Sequence, residues 1–237
     1  MRSITFVSLV LLSAVASAQA PTAADPLTGS ATLGYLATSG NTESKNANAG
    51  LDIKWDRGGM WVHNWRAQFV SARTNGITTA ESYAAGYKAQ RDFSETSYLF
   101  AAGDWRKDRF SGYEEQISES VGYGRRLIDT ERHMLAIEGG VGAKQSTLVD
   151  GTDLDEAIVR GGLDYLLHIS ETSEFEQKLL TEIGSENTYT ESVTALRAKI
   201  IGNLAIVLSY TIKNNSDVPP GIEKTDTFTA ISVEYAF

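Results

Sequence analysis

The chain has 237 residues, no cysteine and a formal net charge of −9, from 30 acidic and 21 basic side chains. Without cysteine, neither a disulfide framework nor a lipid anchor on cysteine can form. The acidic balance argues against nucleic acid as a partner, because nucleic-acid binding calls for basic patches. The length fits one domain, and no apolar stretch reaches the roughly 20 residues of a membrane-spanning helix.

The first twenty residues have the pattern of an export signal. A short basic start at Met1-Arg2 precedes a largely apolar run from Ile4 to Val15, and Ala16-Ser17-Ala18 is a small-x-small cleavage site. We expect cleavage after Ala18, because Pro21 would directly follow a later cut at Ala20. The predicted organisation is a signal peptide over 1–18, a short N-terminal segment over 19–28 and one folded domain over 29–237.

From residue 29 onward, apolar and polar side chains alternate with the period of two that is typical of β-strands. The alternation predicts about twelve strands, near 29–40, 45–56, 60–73, 80–92, 97–109, 115–127, 132–146, 156–168, 174–186, 189–200, 203–214 and 226–237. Short links, as at 57–59, alternate with longer ones, as at 74–79 and 215–225. Tight periplasmic turns and longer external loops are typical of bacterial outer-membrane barrels.

One face of the predicted strands is apolar, and the other carries charges of both signs. We expect the apolar face to meet lipid and the charged face to line the lumen of an antiparallel transmembrane β-barrel. Opposite charges on neighbouring strands can pair, which predicts a constricted lumen. In the alternative, a soluble β-sandwich, the same charges would face solvent. The predicted lumen-lining residues are Arg66, Lys88, Asp104, Arg106, Arg126, Glu138, Arg160 and Asp164.

The last strand, from Thr227 to Phe237, alternates strictly and ends on an aromatic residue. Such an end resembles the assembly signal of outer-membrane barrels, and we assign that signal to Tyr235 and Phe237. The expected partners are the barrel-assembly machinery, periplasmic chaperones, and the lipids and lipopolysaccharide of the outer membrane. The alternative is the buried last strand of a soluble sandwich.

Signals for catalysis, metals and cofactors are weak. His63, His133 and His168 lie on different strands, without the HExxH spacing of a zinc site. We expect them near the periplasmic ends, away from the external rim where a serine–histidine site of a lipid-modifying enzyme would lie. The acidic stretch from Asp150 to Glu156 lacks the spacing of a calcium loop and is expected to be a solvated turn. We therefore predict no enzyme and no cofactor.

The segments GYLATSGNTESKNANAGLDIKW and GGLDYLLHISETSEFEQ and the Tyr-x-Phe end resemble the uncharacterised YdiY-like family of salt-induced outer-membrane proteins. The resemblance covers residues 29–237, and its most specific piece is Thr38-Ser39-Gly40-Asn41-Thr42. It implies the cell outer membrane as location and a barrel as fold. It implies no activity, because the family has no established reaction.

Three functions remain open on these grounds. The preferred one is a porin-like, non-enzymatic envelope barrel, linked by resemblance to salt or osmotic stress, with a narrow charged lumen for ions or small solutes. The second is an outer-membrane lipid-modifying enzyme. The third is a soluble periplasmic β-protein that binds a ligand.

Overall fold

The computed structural model describes residues 26–38, 43–56, 58 and 60–237. These residues form a closed barrel of twelve antiparallel strands in sequence order, in which β12 returns to pair with β1. The prediction of an all-β antiparallel barrel with twelve strands is confirmed. The predicted signal peptide and residues 39–42 of the family motif lie outside the described residues. The strands are β1 Leu27–Thr38, β2 Ser44–Asp56, β3 Trp61–Thr74, β4 Ile77–Asp92, β5 Ser97–Asp108, β6 Tyr113–Asp129, β7 His133–Leu148, β8 Asp153–Ser170, β9 Ser173–Ile183, β10 Thr188–Ile201, β11 Leu204–Asn215 and β12 Thr225–Ala236.

The described ranges contain no helix with the length and apolarity that a membrane span requires.

The two ends of the barrel differ less in link length than predicted. We call the end where β1 begins and β12 ends the near rim, and the opposite end the far rim. Links at the near rim have two to four residues, and those at the far rim have two to five, except for the nine-residue loop 216–224. The prediction of shorter links at one end and longer links at the other therefore holds on average, but most far-rim links are shorter than predicted, because the strands continue into most of the segments assigned to loops.

The clearest correction concerns the link between β3 and β4. A longer link was predicted over 74–79, but the structure has a two-residue turn at Asn75-Gly76. The φ angles of these residues are 50° and 81°, and two positive φ values are typical of a type I′ hairpin turn. Asn-Gly between alternating strands is the strongest short-range hairpin signal, so the correct turn was encoded locally.

The outer wall of the barrel is apolar at mid-height. The strand register places Val121, Val141 and Val159 side by side on β6, β7 and β8. Each of the three residues is 55–60% exposed. Monomeric soluble proteins rarely expose contiguous apolar patches of large area, whereas hydrocarbon accommodates them without cost.

An arginine in this band should destabilise the barrel in lipid. We expect Val141→Arg to lower the free energy of unfolding by about 2–4 kcal/mol, the range for a cation at the bilayer midplane. Val149 in the far-rim turn is similarly exposed, at 54%, and Val149→Arg should cost about 0–1 kcal/mol. Urea unfolding in lipid vesicles measures both values. Equal costs would contradict a lipid-facing band at mid-height.

Aromatic rings cluster on the outer wall at the near rim. The His63 ring lies 6.2 Å from Trp61, 5.9 Å from Trp65 and 6.1 Å from Tyr87, measured between ring centroids. His63 Nδ1 and the Tyr87 hydroxyl are 2.8 Å apart and share a hydrogen bond. Amphipathic rings of this kind favour the interface between hydrocarbon and water.

The barrel interior is polar. The largest fully buried side chains of the described residues are Lys144, Glu182, Asn187 and Ser118. Burying a charge is costly unless it is paired and hydrogen-bonded. The partners of these side chains therefore determine whether the interior is open to ions or is filled by paired charges.

Candidate functional site

A cavity of about 790 Å³ occupies the near-rim half of the lumen. At the near rim it is bordered by Thr28, Asp56 and Asp92, and it extends inward to Asp104 and Arg160. Seven of the eight predicted lumen-lining residues line it: Arg66, Lys88, Asp104, Arg126, Glu138, Arg160 and Asp164. The eighth, Arg106, lies deeper, and its guanidinium binds Glu182.

Five charged side chains meet at the inner end of this cavity. We call Arg66, Asp104, Arg106, Arg160 and Glu182 the central cluster. They come from β3, β5, β8 and β9, and therefore reach across the lumen from strands that are not all neighbours. The inward position of each follows from the alternation of its strand.

Glu182 is the most connected member of the central cluster. Arg106 donates two hydrogen bonds to its carboxylate, at 2.8 and 3.0 Å. Arg160 Nη1 donates at 3.2 Å and Ser118 Oγ at 2.8 Å. The Glu182 side chain is fully buried, and this set of charge-assisted bonds compensates for the loss of its hydration.

Asp104 accepts hydrogen bonds from Arg160 and Arg66. Arg160 Nη1 donates to one carboxylate oxygen at 2.8 Å, and Arg66 Nη2 donates to the other at 3.3 Å. The Arg106 guanidinium also lies over the Tyr189 ring, 4.2 Å from its centroid. The central cluster is thus a continuous ionic bridge from β3 to β9.

The remaining predicted residues form pairs nearer the near rim. Lys88 Nζ donates to Glu138 at 2.6 Å, and the Tyr98 hydroxyl donates to the same oxygen at 2.9 Å. Arg126 donates to both carboxylate oxygens of Asp92, at 3.0 and 2.9 Å. These contacts join strands that are two or three places apart in the ring, and they border the cavity.

Asp164 is the exception among the predicted residues. It lies beside Lys178 in the register of β8 and β9, but Lys178 Nζ contacts Glu176 at 2.6 Å instead. Within the described ranges Asp164 forms no ion pair within 4.0 Å. The cavity therefore retains a carboxylate that is not held by a direct partner.

The far-rim half of the lumen contains a second buried ion pair. Lys144 Nζ lies 2.8 Å from Glu156, and both side chains are almost fully buried. Lys144 also donates to the Asn187 carbonyl oxygen at 2.8 Å. Glu156 accepts hydrogen bonds from the backbone N–H groups of Glu186, at 2.8 Å, and Asn187. The pair thereby holds the link between β9 and β10 inside the barrel.

The loop 216–224 crosses the far rim. It joins β11 and β12, which lie opposite β5 and β6 in the ring of twelve strands. The Tyr113 hydroxyl at the start of β6 donates to the Asp217 carbonyl oxygen at 2.9 Å. Pro219 packs so closely on Gly112 that a methyl group on this glycine would lie 2.6 Å from Pro219 Cδ. The loop therefore covers the far mouth.

Among the described residues, no serine side chain forms a hydrogen bond with the side chain of any of the three histidines. His63 and His133 share hydrogen bonds with the hydroxyls of Tyr87 and Tyr165, at 2.8 and 3.0 Å, and His168 Nδ1 lies 3.1 Å from Glu174. All three lie toward the near rim. Among the described residues, no group of three or more His, Cys, Asp or Glu side chains is placed to hold a metal ion.

The acidic stretch 150–156 divides between a turn and a strand. Asp150 accepts a hydrogen bond from the Thr152 N–H at 2.9 Å, and this bond lowers the pKa of the exposed Asp150 carboxyl below its usual value. Strand β8 begins at Asp153. Glu156 is not part of a solvated turn, because it faces inward to Lys144, and this part of the expectation is wrong.

The C-terminal aromatics lie on the seam that closes the barrel. The backbone N–H and C=O groups of Phe237 exchange two hydrogen bonds with Gly29, at 2.9 and 2.8 Å. The Phe237 ring covers Gly29, since a methyl group there would lie 2.8 Å from the ring. Tyr235 pairs with Ala31 and is about half exposed.

Sequence could not identify several members of these networks. Tyr98, Tyr189 and Ser118 look like ordinary strand residues, and nothing in their local pattern marks them as partners of buried charges. Glu182 does lie on the charged face of its predicted strand, but its role as the common partner of Arg106 and Arg160 depends on contacts across the lumen.

Comparison with known proteins supports the fold. The NanC porin matches with a TM-score of 0.51 and 12% identity, over 88% of this chain and 97% of its own. The translocator domain of the autotransporter NalP from Neisseria meningitidis matches with a TM-score of 0.48 and 9% identity, over 89% of this chain and 88% of that one. The likeness to NanC shows a common barrel fold.

Sequence comparison supports the predicted family. The uncharacterized protein YdiY of Escherichia coli (strain K12) is 27% identical over 212 residues, which are 89% of this chain and 83% of that protein. The resemblance to YdiY-like proteins is thereby confirmed. Because the model of the family described as "Protein of unknown function, DUF481" matches residues 31–237, the chain belongs to that family.

Proposed function

We propose that the protein is a non-enzymatic barrel of the bacterial outer membrane, with the near rim in the periplasm. The apolar band at Val121, Val141 and Val159 supports this location, as does the aromatic cluster around His63 at the near rim. Export by a signal peptide, escort by periplasmic chaperones and contact with lipopolysaccharide belong to the same proposal. The comparison of Val141→Arg with Val149→Arg tests the location.

Within this barrel, the near-rim cavity admits ions and small polar solutes from the periplasm, and the central cluster limits their passage. The single observation that carries this function is the ionic bridge through Arg66, Asp104, Arg160, Glu182 and Arg106. Charges that bind one another so directly leave little room for a hydrated ion. The covered far mouth supports the same function, because it adds a second obstacle.

Conductance in a planar lipid bilayer tests this function. We expect the parent protein to conduct only small ions, and weakly, because ions must pass the paired charges. A large and steady conductance in the parent would contradict a lumen limited by the central cluster. Conductance that rises when the cluster is weakened, as in Arg160→Ala, would support it.

A role in the response to salt or osmotic stress is proposed from the family resemblance alone. Its measurement is the abundance of the protein in outer-membrane fractions after transfer of cells to high salt. We expect an increase, and an unchanged abundance would argue against the role.

The proposed assembly signal at Tyr235 and Phe237 gives a further expected result. Deletion of Phe237 removes both of its hydrogen bonds to Gly29 at the seam, so less folded protein should reach the outer membrane. Heat-modifiable migration on gels measures the folded fraction. Phe237→Tyr keeps the backbone bonds and the ring and should fold like the parent. Normal folding of the deletion variant would show that assembly needs neither the proposed signal at Phe237 nor its hydrogen bonds to Gly29.

A further inference from the structure

The seam between β1 and β12 is paired only at its near-rim end. Strand pairing joins residues 30–33 of β1 to residues 233–236 of β12. On its other side, β1 pairs with β2 along its full length, and β12 pairs with β11 from Tyr235 to Thr225. Residues 34–38 and 225–232, all of them described, therefore have no strand pairing across this seam. A methyl group on Gly34 would lie 2.6 Å from the Ile231 carbonyl oxygen, so the two strands still touch at Gly34, and the gap in the wall lies beyond it, toward the far rim.

Apolar surface continues through this gap from the outside of the barrel to the inside. Tyr35 and Ile231 face outward and are 68% and 67% exposed. Leu36 faces inward by the alternation of β1, yet it is still 59% exposed. Phe228 also faces inward, since its ring lies 5.4 Å from Lys213 Nζ in the lumen. An apolar chain on the outer wall could thus enter without leaving apolar contact.

Polar groups lie directly behind the gap. At the edge of the gap nearer the near rim, Asn48 Nδ2 donates to Ser232 Oγ at 2.7 Å and so ties β2 to β12 across the inner side of β1. Lys213 Nζ lies 3.4 Å from Ser82 Oγ and 3.9 Å from Asp108. Backbone groups at unpaired strand edges also need polar partners, because each unsatisfied group in hydrocarbon costs several kcal/mol. The gap therefore suits a molecule with one polar and one apolar part better than pure hydrocarbon.

The axial routes to this part of the lumen are restricted. Toward the near rim lies the central cluster, and the loop 216–224 covers the far mouth through Tyr113 and Pro219. The side opening is thus the least obstructed path into the far-rim half. It opens at the level of the outer leaflet if the near rim is periplasmic.

We propose that the far part of the β1–β12 seam is a lateral opening that binds a single-chain amphiphile. The hydrocarbon chain passes between β1 and β12 over Leu36, and the polar head group lies in the lumen near Asn48 and Lys213. This inference rests on the proposed membrane location, but it adds a binding site that ion passage does not need.

Engineered disulfide bonds can close the opening. Since the chain has no cysteine of its own, no native thiol competes with the introduced pair. The register of the paired residues, continued along the strands, places Leu36 opposite Ala230. Leu36→Cys with Ala230→Cys should lock the far part of the seam. Leu33→Cys with Val233→Cys crosses the part that is already paired and is the matched control.

The probe is palmitic acid that carries a photoreactive diazirine, added to phosphatidylcholine vesicles that contain the full-length protein. After illumination, mass spectrometry maps the labelled residues. Tyr35 and Ile231 face lipid in any case, so the informative label is on the inward-facing positions 36 and 228, and we expect it there in the parent and in the control. The oxidised lock should carry at least about tenfold less label there, and reduction should restore it.

Each of the following outcomes would overturn the inference. Equal labelling of positions 36 and 228 in the parent and the oxidised lock would mean that the probe does not enter between β1 and β12. Label around Val141 but none at positions 36 and 228 would reject the opening while keeping the membrane location. Label at neither place would reject both. If the lock does not oxidise, Leu36→Trp fills the gap, and unchanged labelling in that variant would also reject the site.

Discussion

Replacing Arg160 with alanine should both destabilise the barrel and increase its ion conductance. Arg160 Nη1 contacts Asp104 at 2.8 Å and Glu182 at 3.2 Å, and all three side chains are nine-tenths or more buried. Removing one partner of a buried ion pair typically costs about 3–5 kcal/mol, because an uncompensated charge remains. Arg66 and Arg106 still contact the two carboxylates, so we expect a loss of about 3 kcal/mol, at the lower end of that range.

Arg160→Ala should also shift the ion selectivity of the lumen in a defined direction. Arg160→Ala removes one positive charge from the inner end of the cavity and leaves Asp104 and Glu182 in place. The net charge at the inner end of the cavity therefore becomes more negative, and cations should pass more readily than anions. The reversal potential of the variant in a salt gradient should shift toward cation selectivity relative to the parent.

A matched control separates the central cluster from other lumenal charges. Lys54 lines the same cavity, but its pair with Asp56 is 3.6 Å long and largely exposed. Lys54→Ala should change the free energy of unfolding by about 0–1 kcal/mol, as exposed ion pairs do. If Arg160→Ala shifts selectivity without loss of stability, the charges line a wet channel instead. If neither quantity changes, Arg160 does not face the lumen of the membrane-inserted protein.

Local sequence patterns were sufficient to predict the barrel and to assign side chains to its outer and inner faces. Period-two alternation predicts strands, and charges on one face of most strands predict a polar interior, whichever strands are neighbours. The turn at Asn75-Gly76 shows that local turn chemistry was also present, but a general expectation about loop lengths overrode it.

Contacts across the lumen could not be predicted in the same way. Arg106 and Glu182 are 76 residues apart in sequence and pair only because the ring closes. The pairing of Arg160 with Asp104 similarly depends on the tilt and stagger of β5 and β8, which alternation does not specify. The loop 216–224 looks like any polar loop, and only the closed ring shows that it lies opposite Gly112.

Replacement of Lys144 should give a large loss of stability from the ion pair in the far-rim half of the lumen. Lys144 is fully buried, and its partner Glu156 lies directly opposite on β8. Lys144→Met keeps much of the side-chain volume but leaves the Glu156 carboxylate without its cation. We expect the free energy of unfolding to fall by about 3–5 kcal/mol. The link between β9 and β10 should loosen as well, because Lys144 holds the Asn187 carbonyl oxygen.

The double variant Lys144→Met with Glu156→Gln decides whether the uncompensated charge causes this loss. A neutral amide at position 156 no longer needs a cation, so the double variant should regain much of the lost stability. Lys107→Met is the matched exposed control, since Lys107 Nζ lies 3.7 Å from Glu114 and both side chains are about half exposed. It should cost about 0–1 kcal/mol. Chemical unfolding in vesicles, followed by tryptophan fluorescence, measures all three. If the double variant is no more stable than Lys144→Met, the stranded carboxylate does not cause the loss. The lost hydrogen bond from Lys144 to the Asn187 carbonyl oxygen would then cause it, and Lys144 would stabilise the barrel chiefly by holding the β9–β10 link.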